Sequence, residues 1–237
     1  MSVAALVPAA GRGERLGGDV CKALREVRGE PLVVHAVRSL QASTDVALVV
    51  IAAPAGHVDR FEAVLGAAGS GSRGAGRLRP VWLVVSGAET RQGSVARALA
   101  ALSCADDVEI VLVHDAARCL VPVEVVRRVV AAVRAGADAV VPVVPLVDTV
   151  KQVDGDQITA TIDRDRLRQV QTPQGFRRDV LVRAYAAAGA HQAGDDAGLV
   201  ERIGGNVRVV AGHAEAFKVT GPLDLLVADA VLRTRTP

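Results

Sequence analysis

Aromatic side chains are nearly absent from this sequence: three Phe, one Trp and one Tyr among 237 residues. So few rings leave little material for stacking on bases, and a net charge of +2 gives no electrostatic footprint for nucleic acid. Cysteine is scarce too. Cys21, Cys104 and Cys119 are odd in number, far apart and without a C-x-x-C pair, which argues against a zinc site or a disulfide framework and fits a reducing cytoplasm. The start of the chain has no basic region followed by a long apolar one, so no secretory signal is expected. The most apolar later stretch, Ala139 to Val147, is short and carries Pro142 and Pro145, so no membrane span is expected either. Lysine is the other scarcity. Lys22, Lys151 and Lys218 are the only three, and every other basic residue is Arg. Where Arg serves as the general cation, a retained lysine is a candidate for gripping a phosphate with a compact ammonium.

What is abundant is aliphatic. Half the residues are apolar, enough for a sizeable core of Val, Leu and Ala in one large α/β domain or two small ones. Strands are expected at Val3–Val7, Val46–Ala52, Val81–Val85, Val108–His114 and Ala139–Val144. Helices are expected at Pro31–Leu40, Val58–Ala67, Thr90–Leu102 (capped by Thr90) and Pro122–Ala135. The alternation argues for a parallel sheet with helices on both faces. Gly69 to Arg77 is rich in Gly and Ser and reads as an exposed loop.

The alternation then breaks. Val147–Val153 and Gln157–Ile162 flank Asp154-Gly155, a hairpin signal. The expectation is a single domain over 1–237 with an inserted β-arm at about 147–173, of a kind that reaches a second subunit. Helices at Asp179–Ala187, Ala197–Ile203 and Pro222–Leu232 and short strands at Val207–Val210 and Ala216–Val219 complete the chain.

In a wound sheet, ligands sit beyond the carboxyl ends of the strands. Three segments follow strands there. The first, Pro8-Ala9-Ala10-Gly11, is nearly bare of side chains, can bring N–H groups to an anion, and is followed by Arg15 and Lys22. It matches neither the dinucleotide fingerprint nor the Walker loop. The second, Gly87 to Ser94, reads as a base pocket through Gly87, Glu89, Arg91 and Ser94, or as a turn entering a helix. The third is His114 to Arg118. Asp115 there suits a divalent ion, a ribose hydroxyl or a helix N-cap, Arg118 suits an ion pair with it, and His114 reads as a satisfied core histidine. On the arm, alternation puts Thr149 and Lys151 on one face. Arg164 and Thr172 suit a second phosphate, or Arg164 an ion pair with Asp163 or Asp165. Lys218 again stands in the crevice, and Asp195-Asp196 reads as a capping pair. No Ser/His/Asp set or close carboxylate pair supports nucleophilic or glycosidic chemistry.

P-A-A-G-x-G-x-R with Lys22, G-x-x-x-R-x-x-S at Gly87–Ser94, V-H-D-A-A-R, D-T-x-K, T-P-Q and K-V-T occur in this order over nearly the whole chain. Together they resemble the cytidylyltransferases of the non-mevalonate isoprenoid pathway, the 2-C-methyl-D-erythritol 4-phosphate cytidylyltransferase family. The resemblance implies a wound, mostly parallel nucleotidyltransferase sheet of Rossmann-like type, a homodimer completed by the arm, and Mg²⁺-dependent transfer of the cytidylyl group from CTP to 2-C-methyl-D-erythritol 4-phosphate with release of pyrophosphate. It implies that Arg15 and Lys22 stabilise the transition state, and that Lys218 and the partner chain's Arg164 orient the acceptor phosphate. Asp115 would serve ribose and metal, and Arg118 and Thr172 would lie near the acceptor. Pro8, Ala9, Ala10, Gly11, Gly87, Glu89 and Ser94 would frame cytosine and ribose. Cys21 and Cys119 stand where the family usually has Pro, Gly194 where it usually has Thr, and Gly221 where a basic or polar residue is common. These departures bear mostly on the acceptor. Ribitol 5-phosphate is therefore an alternative acceptor, and a nucleotide-binding homologue without catalysis is an alternative of another class.

Overall fold

The computed structural model describes residues 2–11, 21–69, 81–105 and 107–235. Its centre is a mostly parallel eight-stranded sheet. The strands β1 (Ser2–Pro8), β4 (Val46–Ala53), β5 (Val81–Ser86) and β6 (Val108–Val113) run parallel in the order β6-β1-β4-β5. Beyond β6 lies β11 (Gln174–Arg177), antiparallel to both β6 and β7 (Ala139–Pro145). The short β10 (Arg168–Val170) pairs with the far half of β7, and β12 (Val207–Ala211) runs parallel along its outer side.

β-Branched and aliphatic runs form β1, β4, β5 and β6 because the helices cover both faces, so nearly every position is apolar, with Ser2, Ser86 and Glu109 the exceptions. Alternate residues then divide between two cores. Val3, Ala5, Val7, Val49 and Ile51 face α1 (Leu32–Gln41), α2 (Val58–Gly69) and α4 (Val123–Arg134). Ala4, Leu6, Val50, Val111 and Val113 face α3 (Arg91–Ala100), α5 (Arg178–Ala188) and α6 (Asp196–Arg202). Each core holds one fully buried Phe, Phe61 in the first and Phe176 in the second. Each buried Val or Leu contributes about 1.5–3 kcal/mol of transfer free energy. A third, smaller cluster packs α7 (Pro222–Arg235) against Leu32, Ala36, Cys119 and Val219. Cys119 is thus a core residue, and burial pushes its thiol up to about 12.

All the expected strands and helices but Ala216–Val219 occur within three residues of their expected ends, and the Thr90 hydroxyl does cap α3, accepting from Gly93 N–H at 2.9 Å. The hairpin occurs as β8 (Val150–Asp154) and β9 (Gln157–Ile162), with Gly155 at φ +58° in a two-residue turn. Its first strand begins at Val150, so Thr149 is not part of the ladder. Lys151 instead bonds the Thr161 hydroxyl opposite it at 2.6 Å.

Three expectations change. Arg168–Val170, expected within the arm, is a strand of the main sheet paired with β7, and Gln174–Arg177, for which no element is expected, is the strand between β6 and β7, with Gln174 and Phe176 buried. Ala216–Val219 forms no strand: a 3-10 turn at Ala214–Ala216 leads into extended chain, where Val219 N–H reaches the Ala117 carbonyl at 2.8 Å. A two-rung ribbon of β2 (Glu26–Val27) and β3 (Glu30–Pro31) precedes α1, too short to give a period-2 signal. Of the loop expected from Gly69 to Arg77, Gly69 ends α2 and positions 70–77 lie outside the described residues. Among the described residues, no helix is long and apolar enough to cross a membrane.

Candidate active site

Four parallel strands end on one side of the sheet, and their loops leave together. The ladder continues one step past the strands: Ala9 N–H donates to Ala52 O at 2.9 Å, Gly87 N–H to Ala53 O at 2.6 Å, and His114 N–H to Leu6 O at 2.8 Å. Gly87 is required at this crossing. A Cβ there would stand 2.9 Å from Ala53 O and 3.0 Å from both Ala10 Cβ and Ser94 Oγ. The bare loop at Pro8–Gly11 and the Gly87 turn are therefore in contact. The rest of the first loop, with Arg15, lies outside the described residues. Its exit returns to its start, because the Cys21 thiol donates to Ala9 O at 3.3 Å. Lys22 follows at once and opens a 3-10 turn, Lys22–Leu24.

At the end of β6 stands an alternating chain of charges. The Asp115 carboxylate accepts from Lys218 Nζ at 2.8 Å and from Arg91 Nε at 2.9 Å. Arg91 Nη1 reaches Asp196 at 2.7 Å, and the other Asp196 oxygen accepts from the Tyr185 hydroxyl at 2.5 Å. Burial opposes charge on Asp115, yet Arg91 and Lys218 outweigh it and hold its carboxyl well below the usual carboxylate range. Burial and the Asp196 charge push the Tyr185 hydroxyl well above its ordinary value. Asp115 is thus an ion-pair centre, not a helix cap.

His114 has the neutral core role expected of it. It is fully buried between the Thr172 hydroxyl at 3.1 Å and the Arg118 carbonyl at 3.2 Å. Burial lowers its pKa to about 4. The Thr172 hydroxyl also accepts the Asp115 N–H at 3.0 Å. Thr172 and Asp115 therefore meet, across 57 residues of sequence. Arg118 does not bond to Asp115. Its two terminal nitrogens donate to Ala216 O at 2.8 Å and Val170 O at 3.0 Å, and its buried Nε has no hydrogen-bond partner among the described residues.

Two other expected residues have local roles. Ser94 Oγ accepts from Ala88 N–H at 2.9 Å and lies 3.0 Å from Thr90 O, which shapes the Gly87–Thr90 turn from inside. Glu89 is exposed on that turn. Arg164 sits on an exposed 3-10 turn after the hairpin and donates to the Val147 carbonyl, so the chain does not itself bring it to Thr172. Lys22 and Lys218 are linked through Asp224, which feels the Lys22 charge and bonds Thr220, two residues after Lys218. Hydrogen bonds from Thr220, with the nearby Lys22 charge adding, hold the Asp224 carboxyl below its ordinary value. Of the Asp195-Asp196 pair, only Asp195 caps, accepting from Gly198 N–H at 2.9 Å. Asp196 is buried at 1% exposure beneath Arg91. Arg91's bridge, Asp196 and Tyr185 are what motif reading missed. The available signal was the acidic doublet itself, since one cap needs only one carboxylate.

The family model described as IspD, 2-C-methyl-D-erythritol 4-phosphate cytidylyltransferase, matches residues 3–234. The chain belongs to the 2-C-methyl-D-erythritol 4-phosphate cytidylyltransferase family. A cytidylyltransferase of that name from Saccharopolyspora erythraea is 56% identical over 235 residues, covering 98% of this chain and all of the relative. One from Frankia casuarinae is 52% identical over 236 residues, covering 99% and 83%. The crystal structure of the Thermus thermophilus cytidylyltransferase superposes with a TM-score of 0.76 at 36% identity, covering 98% of this chain and 100% of that one. As a member of this family the chain is an enzyme, a nucleotidyltransferase, and its mostly parallel sheet is that of the family's solved structures.

Proposed function

We propose that this enzyme transfers the cytidylyl group of CTP to 2-C-methyl-D-erythritol 4-phosphate, giving 4-diphosphocytidyl-2-C-methyl-D-erythritol and pyrophosphate. The observation that carries the reading is the meeting of Asp115, Lys218 and Thr172 beside the Pro8–Gly11 and Gly87 loops, at the carboxyl end of a parallel sheet in a chain of this family.

An oxygen of the acceptor phosphate attacks the α-phosphorus in line, the bond from that phosphorus to the bridging oxygen breaks, and pyrophosphate leaves with the electron pair. No covalent enzyme intermediate is needed, so the protein's work is placement and charge. Pro8, Ala9, Ala10 and Gly11 present backbone to the nucleotide, and Gly87, Glu89 and Ser94 close the base side. Arg15 and Lys22 stabilise the charge that builds on the transferring phosphoryl oxygens. Lys218 rests on Asp115 and turns to the acceptor phosphate, while Arg118 and Thr172 brace that side. Arg164 comes from the arm of a second copy.

Among the described residues, no three His, Cys, Asp or Glu side chains cluster as a metal site. Asp115 is the one carboxylate here that would meet Mg²⁺, and because Arg91 and Lys218 already pair with its two oxygens, most of the ion's ligands would have to come from the triphosphate and water. When bound, Mg²⁺ neutralises triphosphate charge. We place the enzyme in the cytoplasm as a homodimer of single-domain chains.

The test is pyrophosphate release with CTP over a panel of polyol phosphates, including ribitol 5-phosphate. A Cβ added at Gly194 would meet nothing within 4 Å, so the place where the family usually has Thr is open and the acceptor has to be checked. Release with methylerythritol phosphate alone is the expected result. Lys22→Ala should cost about 3–4 kcal/mol of barrier with the fold intact. Unchanged turnover in that variant removes Lys22 from the site.

A further inference from the structure

Behind the Asp115–Lys218 pair stands a second carboxylate that substrate does not reach. Asp196 opens α6, yet its side chain is 1% exposed. Both its oxygens are taken, one by Arg91 Nη1 at 2.7 Å and the other by the Tyr185 hydroxyl at 2.5 Å. Tyr185 is the only tyrosine in the chain. A guanidinium gripped at one edge can swivel. Arg91 is gripped on two, Nε by Asp115 and Nη1 by Asp196, so its plane is fixed.

The same helix start is tied a second time. Gln174 donates to Asp195 at 2.7 Å and accepts the Ala197 N–H at 3.1 Å. Gln174 opens β11, two residues after Thr172, whose hydroxyl holds the Asp115 N–H. Asp115 is therefore set from two directions by groups anchored at the start of α6: its side chain through Arg91, its backbone through Thr172. Stability alone does not call for this arrangement, because a buried ion pair is often no more stabilising than apolar side chains of the same volume. An orientation does call for it.

We propose that Asp196 is a positioning residue for cytidylyl transfer. Acting through Arg91, with Tyr185 behind it, Asp196 fixes the Asp115 carboxylate and so the place from which the Lys218 ammonium meets the acceptor phosphate. This rests on the role given to Lys218 above.

Asp196→Asn keeps the shape and removes the charge. It should lower kcat roughly ten- to a hundredfold, the size of effect a small misplacement at the reacting centre produces, with KM for CTP changed far less. Leu65→Ala, in the core on the other face of the sheet, loosens the fold without touching α6 or the charges and should leave kcat at its wild-type value. In a Lys218→Ala background, Asp196→Asn should change turnover by less than about twofold, since residues acting through one group are non-additive.

A full Asp196→Asn effect persisting without Lys218 overturns the proposal, and so does wild-type kcat in Asp196→Asn. If Lys218→Ala itself keeps wild-type turnover, the reading of Lys218 fails instead. Should Asp196→Asn not fold, Tyr185→Phe serves in its place. It should give a smaller kcat loss that also vanishes in Lys218→Ala, and a loss that persists there counts against the proposal in the same way.

Discussion

Residues 147–170 and residues 171–176 adjoin in sequence and differ in almost everything else. The first stretch is exposed nearly throughout, with Val147 at 81%, Val153 at 60% and Ile158 at 64% exposure. The second is buried at every position, with each of its polar side chains hydrogen-bonded: Gln171 to His213, Thr172 to His114 and Asp115, Gln174 to Asp195 and Ala197. In one stretch apolar groups lack cover, and in the other polar groups are fully satisfied. On our reading, the satisfied stretch belongs to the half of the site that one chain completes. A two-stranded hairpin with a bare apolar surface is marginal by itself, and such surface marks a place of contact. On our reading, the cover is a second copy, which receives Arg164 in return.

The sharpest way to break this contrast is complementation. Arg164→Ala and Lys218→Ala chains should each lose turnover by roughly a hundredfold or more. Mixed in equal amounts and allowed to exchange, they should regain about a quarter of wild-type activity, because half the dimers pair unlike chains and each of these holds one intact site. No recovery on mixing means that Arg164 acts within its own chain or not at all.

A smaller effect tests the cover itself. Val153→Asp with Ile158→Asp places charge on the bare hairpin without disturbing the sheet. Sedimentation should shift from dimer to monomer at micromolar concentration, with turnover falling alongside, while the melting of the main sheet should change little. A dimer of unchanged affinity puts the contact elsewhere.

The smallest effect concerns the buried side alone. His114 is neutral in the folded chain with its pKa lowered to about 4. The unfolded chain takes up that proton near pH 6.5, so this contribution to stability is complete above about pH 6.5 and is lost as pH falls toward about 4. Urea unfolding at pH 7 and pH 5 should differ by about 2 kcal/mol from this group. His114→Gln should remove that part of the difference. An equal pH dependence in the variant assigns it to other groups.

The strands and helices were legible because β1, β4, β5 and β6 are mostly Val, Leu, Ile and Ala, and most of the helices carry one apolar stripe. The Gly87 turn and the Asp154-Gly155 hairpin were legible because backbone geometry demands those residues. Arg168–Val170 was read as arm because three exposed residues carry no burial period. Ala216–Val219 looked like a strand because it is apolar, although its burial comes from α7 and the 115–118 turn rather than from a ladder. Asp196 hid behind Asp195: both suit a cap, and nothing local says which of two adjacent carboxylates turns inward.

The sequence by itself determined the β-α alternation, the crevice end, and the family through its ordered motifs, since periodicity and spacing are properties of neighbours along the chain. Only the tertiary structure decided that Asp115 holds Lys218 from 103 residues away and Arg91 from 24, and that Thr172 rather than Arg118 secures it. Which charges pair depends on which strand ends lie side by side, and strand order is settled by packing the two faces of the sheet.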